Sequence, residues 1–483
     1  MPRTETSALA LTADHPIVQF QVELEFDYNN AAKVVVSTAL GQVPYVGFLL
    51  GALVDIFWPQ SGQDVWSQIE AKVEALVDRK IAERVWQEVS ESLAGLHNVT
   101  DDYLYAARHF PDDPKVISEK WNVAQGLFLH DLPAFQSKDF ELLLLPLFAQ
   151  FANLHLSLLR DGATFGSTWG WSPTVVDRVR EQLADAISNY TDYANVIYQA
   201  GLEETKKNAP SNNQKTEPFN TINRFEREMT LTVLDFMTMW PYFDLTKYPK
   251  PVEVILDREI YSEAVGTADD TGISLPTTPP TQPIEKVTVW GWDRIDAISV
   301  DYPDGGGPDG KTSTGRMGNS GGGSDQPPHG GTFSVAETGP VVKVTARTGD
   351  ILNAMWLHFE NGVTSNKLGG NYPGGSDSVW EFPDEILSSI KVMGVSRYYG
   401  SANAAVFGFK FKNDRLPSPG ADVVRTFFVA DPAQPTAADL AGKLGLAGAE
   451  ADEVARWAEE FGWEQLRSLR VASQKRRAGR PGR

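Results

Sequence analysis

Residues 142–159 read LLLLPLFAQFANLHLSLL, a run without a single charged side chain. Its exceptions to apolar character are Pro146, Gln150, Asn153, His155 and Ser157. On an α-helix, positions 146, 150, 153 and 157 share one narrow stripe, because steps of three and four return to the same face. His155 lies off that stripe. A helix apolar around nearly its whole circumference is either the centre of a bundle or bound for lipid. At 1.5 Å rise per residue the run spans about 27 Å, close to the hydrocarbon core of a bilayer. Periodicity alone leaves both readings open. No second histidine stands nearby at ligand spacing, so His155 reads as a hydrogen-bonded core residue, not a metal ligand.

Outward from this run the pattern stays helical from about residue 28 to 245. WSQIEAKVEALVDRKIAERVWQEV (66–89) places Ile69, Val73, Leu76, Ile81 and Val85 at helical steps. The stretch 172–204 opens with Ser172 as an expected cap and Pro173 at the first helical position. FNTINRFEREMTLTVLDFMTMWPYF (219–243) is a further helix, ending near Pro241. Several helices on short loops imply a bundle. Residues 264–285 are rich in Pro, Thr and Gly and read as a linker. From 286 the texture turns β: KVTVWGW, DAISVDY, GTFSVAE, VVKVTAR, NAMWLHF, IKVMGVS and AVFGFKF are β-branched or aromatic and separated by turn residues. The expected organisation is therefore an N-terminal extension (1–27), a helical bundle (28–263), a linker (264–285), an all-β unit (286–413) and a short helical segment with a basic tail (414–483).

Composition narrows the function classes. There are 63 acidic and 43 basic residues, a formal charge of −20, which argues against a nucleic-acid partner. Cysteine is absent, so disulfides, thiolate metal sites and a cysteine nucleophile are excluded. SALALTAD near the N-terminus is short for a secretory signal.

Two stretches match enzyme motifs. Gly305, Gly310, Lys311 and Thr312 fall on the G-x-x-x-x-G-K-[ST] spacing. A phosphate loop needs a helix starting at the Lys-Thr pair, and STGRMGNSGGGSDQPPHGG, which runs on from Ser313, cannot start one. Gly318-Asn319-Ser320-Gly321-Gly322 matches G-x-S-x-G with neither a strand-to-helix turn nor a base. Both matches reflect a Gly-rich loop. No catalytic residues, cofactor, metal or nucleotide are expected. A loop of this length is usually functional or disordered, and disorder is the expectation.

The segments LPLFAQFANLHLSLLRDGATFGSTWGW (145–171), NRFEREMTLTVLDFMTMWPYFDLTKYP (223–249) and LDREIYSEAVG (256–266) closely resemble the N-terminal domain of the insecticidal crystal (Cry-type) delta-endotoxins. ALGQVPYVGFLLGALVDIFWP resembles that family's first helices and WNVAQGLFLHDLPAF its fourth. The resemblance covers roughly residues 28–266. It implies about seven helices around a central hydrophobic one, acting as a pore-forming unit whose fourth and fifth helices insert as a hairpin. Within the central helix it assigns insertion to Leu142, Leu145, Leu147, Phe148, Phe151, Leu154, His155 and Leu158. It also implies a bacterial protein without a clear signal peptide, acting from outside on a target-cell membrane. Its partners would be lipid, a glycoprotein or glycan receptor, and further copies of itself. One departure stands out: the acidic residue usual in the family's fourth helix corresponds here to Val123, with Glu119 and Asp131 the nearest acids.

The β unit resembles the jacalin-type lectins, a three-sheet β-prism, through DRIDAISVDYPDG, GGTFSVAE, VVKVTARTGDILNAMWLHFENGVTSNKLGG and IKVMGVSRYYGSANAAVFGFKF. The lectin G-x-x-x-D acid is replaced: Gly400-Ser401-Ala402-Asn403 is followed by Ala404. Receptor or sugar contacts are expected from Lys311, Arg397, Tyr398, Tyr399 and Asn403. The alternative function is a carbohydrate-binding lectin with a helical scaffold.

Overall fold

A computed structural model describes residues 28, 31–32, 46–59, 64–210, 216–244, 246–248, 256, 258–268, 273–370, 374–394 and 402–412. Its first part is helical: α1 (Phe48–Phe57), α2 (Val65–Val77), α3 (Glu83–His109), α4 (Pro114–Asp131), α5 (Glu141–Phe165), α6 (Pro173–Asn208) and α7 (Thr216–Met229). The chain of α7 continues through a π-helical turn, Thr230–Leu234, a further turn Asp235–Met239 and a 3₁₀ turn Trp240–Phe243. The sequence's own signals set several boundaries. Asp64 caps α2 by accepting from Ser67 N at 3.1 Å, and Asp113 caps α4, where Pro114 opens the helix. Pro173 opens α6, yet the Ser172 side chain makes no capping bond.

The periodic run 66–89 is not one helix. It breaks after Val77, where Asp78 adopts φ 51° and α2 ends. Glu74 holds the break by accepting from Ile81 N at 2.7 Å and pairing with Lys80. A left-handed Asp is an accepted helix terminator, which apolar spacing cannot reveal.

Every residue of α5 from Leu143 to Ala163 is buried. It lies at the middle of one core drawn from α1–α7, with Phe148, Phe151, Leu154 and Leu158 wholly enclosed. The expected bundle with a central apolar helix is the observed one.

Among the described residues twelve strands follow, in three four-stranded antiparallel sheets whose edges are open. The first sheet pairs β11 (Glu385–Gly394) with β12 (Ala402–Phe411), and β12 also carries β1 (Ile260–Tyr261) and β2 (Val265–Gly266). In the second, β3 (Lys286–Gly291) and β4 (Ile295–Asp301) are flanked by β5 (Met317–Gly318) and β6 (Gly331–Ser334). The third runs β10 (Ser376–Glu381), β7 (Val341–Thr348), β8 (Leu352–Phe359), β9 (Leu368–Gly369). All three sheets turn apolar faces onto one second core, including Val289, Ile298, Val344, Leu357, Ile390 and Phe407, the packing of a β-prism. The sequence reading begins the β unit at 286, but β1 and β2 come from 260–266 and pair with the last strand. Residues 414–483 lie outside the described ones.

Helix α7 seats the β unit. Asn220, Asn223 and Arg227 share one helix face at steps of three and four. Asn220 exchanges bonds with the backbone of Ala264, and Asn223 donates to the carbonyls of Tyr261 and Ser262. Arg227 donates to Tyr261 O at 2.9 Å and to Glu263 Oε1 at 2.8 Å. Arg258 joins Asp235 at 3.0 Å to Glu385 at 2.6 Å. Burial alone would raise the Glu263 carboxyl, but the Arg227 charge and the hydrogen bonds of Arg227 and Trp380 hold it at about 2, against an ordinary 4.5.

Two outcomes follow. A pKa depressed on folding gives stability that is complete above the unfolded value, near 4.5, and is lost as pH falls from there toward about 2. Glu263→Gln should therefore lower thermal stability at neutral pH and flatten its decline over that acid window, read by circular dichroism melts. Gly266 sits at φ 83°, and a Cβ there would stand 1.9 Å from Asn403 O. Gly266→Ala should cost roughly 2 kcal/mol or more, read from urea unfolding of the β unit.

Candidate functional site

The functional candidate is α5 together with its hydrogen bonds, which fall into two sets. The first ties α5 to α4. Trp121 Nε1 donates to Leu158 O at 2.7 Å. Its ring lies on Gly162, where a Cβ would come within 2.7 Å of Trp121 Cζ2, so only glycine permits the close approach. His155 Nε2 meets Gln125 Oε1 at 2.9 Å. Because that oxygen only accepts, Nε2 carries the proton and Nδ1 accepts from Tyr190 Oη at 2.5 Å. Phe128 stacks on His155, with centroids 5.0 Å apart and planes at 3°.

The second set ties α5 to the rest of the bundle. Gln150 Nε2 donates to Thr232 O at 3.0 Å, a carbonyl within the π-helical turn. Asn153 Nδ2 donates to Gln150 Oε1 at 3.0 Å, and Trp240 Nε1 donates to Asn153 Oδ1 at 2.8 Å. Ser157 Oγ donates to Asn153 O within its own helix. The stripe 150–153–157 thus faces the continuation of α7, while His155, two residues from both Asn153 and Ser157, points to the opposite side. Tyr190 of α6 reaches that opposite side. At the C-terminal end Asp161 accepts from Gly47 N and from Tyr103 Oη, each at 2.9 Å. Burial, then the neighbouring Asp161, pushes the Tyr103 phenol well above its ordinary value.

The expected insertion residues are thereby placed. Leu145, Leu147, Phe148, Phe151, Leu154, His155 and Leu158 are buried together, and Leu142 is half-buried. Sequence reasoning missed the partners: Thr232, Trp240, Tyr190 and Gln125 are far along the chain, and only the narrow polar stripe announced that something must satisfy it. On α4, Val123 is 57% exposed, Glu119 is exposed beside Lys115, and Asp131 is buried.

The expected receptor residues do not form one group. Lys311 is exposed. Its loop follows β4, where Tyr302 Oη donates to Ser388 O near the start of β11. Asn403 stands at the other end of the β11–β12 pair, where Gly394 meets Ala402. Asn403 was expected in a contact loop; it lies instead in β12, wholly buried, its carbonyl accepting from Thr267 N. A buried strand residue touches no sugar or receptor. Arg397, Tyr398 and Tyr399 lie outside the described residues.

The stretch GGGPDGKTST is ordered by hydrogen bonds rather than disordered. Two successive Pro-Asp-Gly turns place Asp304 and Asp309 in the left-handed region. Asp309 Oδ1 accepts from Thr277 N and Thr278 N, and Gly307 N donates to Lys311 O. Lys311 is extended and no helix starts at Thr312, so the loop is not a phosphate cradle. Among the described residues no group of His, Asp or Glu side chains is arranged to hold a metal ion.

Residues 35–244 match the family described as delta endotoxin, N-terminal domain. Pesticidal crystal protein Cry26Aa of Bacillus thuringiensis subsp. finitimus is 34% identical over 248 residues, 49% of this chain and 21% of that protein. Pesticidal crystal protein Cry1Ac of B. thuringiensis subsp. kurstaki is 33% identical over 229 residues, 46% of this chain and 19% of that protein. The chain thus spans about a fifth of the length of these curated relatives. The crystal structure of the B. thuringiensis insecticidal crystal protein Cry7Ca1 superposes with a TM-score of 0.65 at 21% identity, over 79% of this chain and 75% of that one, a likeness of fold. The helical unit is thus similar in sequence and fold to a delta-endotoxin N-terminal domain.

Trp240→Phe removes the indole that satisfies Asn153 Oδ1. It should destabilise the bundle by about 1–3 kcal/mol through the orphaned buried carbonyl, read as a shift in urea midpoint.

Proposed function

We propose that this chain, whose residues 35–244 match a delta-endotoxin N-terminal domain, is a pore-forming insecticidal-type toxin. The β unit binds a receptor on the target cell, and the helical unit then delivers the α4–α5 hairpin into the membrane. The observation that carries this reading is α5 itself. The helical stretch Glu141–Trp169 is long and apolar enough to cross a bilayer, and nearly all of it is enclosed by the other helices. A helix of this kind exchanges apolar neighbours for lipid at little cost, because its backbone bonds stay internal.

The hairpin's internal bonds support the same unit. Trp121 to Leu158 O and His155 to Gln125 join α4 to α5 and travel with the pair. The bonds to Thr232, Trp240, Tyr190, Tyr103 and Gly47 are the ones insertion breaks. On this reading the partners are lipid, a glycoprotein or glycan receptor and further copies of the chain. The protein acts from outside on the target-cell membrane after release from a bacterium. A lectin reading loses support from the burial of Asn403 and from Ala404 at the position of the sugar-binding acid.

Permeabilisation is the decisive measurement. The full chain, with and without trypsin treatment, should release calcein from phosphatidylcholine vesicles or from insect midgut brush-border vesicles. Absence of release from both, across acid to alkaline pH, would overturn the proposal.

A further inference from the structure

Two turns of the bundle meet at one arginine. The chain leaves α2 through Asp78, at φ 51°, and approaches α5 through Asp139, at φ 70°. Arg79 joins them. Its guanidinium lies over the Phe140 ring, 5.3 Å from the centroid, and donates to the backbone carbonyl of Asp139. The two ends of this bond are 60 residues apart in the chain.

Each side of the contact is fixed by its own loop. Arg79 N donates to Glu74 O at 3.2 Å, and the buried Glu74 carboxylate accepts from Ile81 N at 2.7 Å, so the α2–α3 loop is tied down around Arg79. Opposite, Phe140 N donates to Ser137 O at 3.1 Å, and Phe140 O accepts from Leu144 N in the first turn of α5. The Phe140 ring is half-buried against the bundle core, whereas Lys138 and Asp139 are exposed. Among the described residues, the Arg79 bond is the one hydrogen bond that another element gives the turn 137–140. A left-handed residue other than glycine persists where its surroundings hold it, and Asp139 is held from outside by Arg79.

The chemistry suits a contact that holds and then opens. A guanidinium is planar and permanently charged, so its edge can satisfy a carbonyl while its face rests on an aromatic ring. Arg79 is exposed, so water stands ready to replace both partners and the contact opens at modest cost. The turn it grips is the one between α4 and α5, and Arg79 itself belongs to neither helix. The pair cannot move away from α2 and α3 with this contact intact.

We infer that Arg79 is a clasp on the α4–α5 turn, which must open before the hairpin leaves the bundle, and that it slows insertion without altering its end point. This rests on the hairpin-insertion reading above and adds to it a positioning residue outside the hairpin, on the loop between α2 and α3.

Three variants of the full chain test the clasp, with calcein release from phosphatidylcholine vesicles as the rate and hydrogen–deuterium exchange of segment 132–144 as the local readout. Arg79→Ala should raise the initial release rate about three- to thirty-fold at an unchanged final extent. It should also speed exchange in 132–144 while α3 and α6 keep their protection. Phe140→Leu keeps an apolar side chain against the core but removes the ring beneath the guanidinium, and should move both readouts the same way by a smaller factor. Lys138→Ala takes a positive charge from the same turn without touching the clasp, and should change neither. Release by Arg79→Ala at the natural rate would overturn the inference. So would a rise that Lys138→Ala reproduces, since loss of charge alone would then account for it. Exchange that quickens throughout the bundle in Arg79→Ala would reduce Arg79 to a general structural role and overturn the inference as well. Should Arg79→Ala fail to fold, Phe140→Leu decides by the same outcomes. Absence of release from the natural chain and every variant would instead remove the insertion reading, and the inference with it.

Discussion

The fold is organised by the burial of α5 and the bonds this burial makes obligatory. A helix enclosed from Leu143 to Ala163 has no access to water, so each polar group it carries needs a protein partner. Gln150 finds one in the carbonyl of Thr232, Asn153 in the indole of Trp240, His155 in Gln125 and Tyr190, and Asp161 in Tyr103 and Gly47. These partners come from α3, α4, α6, the loop before α1 and the continuation of α7. A handful of side chains on one helix thereby fixes the positions of most of the bundle, and aromatic packing by Phe128, Phe135 and Phe148 fills the space between.

Much of this architecture is legible in the amino-acid order. The uncharged run 142–159 identifies the central helix, and its stripe at 146, 150, 153 and 157 shows that one side of it must meet polar groups. The change from long helical periods to short β-branched runs marks the β unit. Local terminators were harder to see. Asp78 ends α2 by adopting a left-handed conformation that apolar spacing does not encode. The strands β1 and β2 are two residues each and exist because β12 offers them an edge; a sequence window that short carries no period. β10, SDSVWE, begins with exposed polar residues and also lacks a strand-like run. Asn403 reads as a loop residue because Gly and Ser precede it, yet β12 is buried almost without interruption and Asn403 with it. The partners of the α5 stripe were beyond sequence reasoning because pairing between residues 80 or so apart leaves no local trace.

The β unit and the bundle are joined by a second, mainly polar, contact. Asn220, Asn223 and Arg227 read backbone carbonyls of 261–264, while Arg258 bridges Asp235 and Glu385. Buried ion pairs of this type add little net stability over an apolar contact but penalise any geometry that separates one partner from the other. They define a seat for the β unit more than they glue it down.

The run from Thr216 to Phe243 belongs to both contacts. Its first half presents Asn220, Asn223 and Arg227 to the β unit, and its second half, beginning at the π-helical turn, presents Thr232 O and Trp240 to the stripe of α5. Free energies that share an element are linked. Displacing the β unit on its seat and loosening α5 from its polar partners therefore draw on the same few turns of helix, at whose middle one backbone turn is already wound wider than an α-helix. In mechanical terms this run is a rocker arm: one end seats the β unit and the other, one helix length away, holds the segment hidden at the centre.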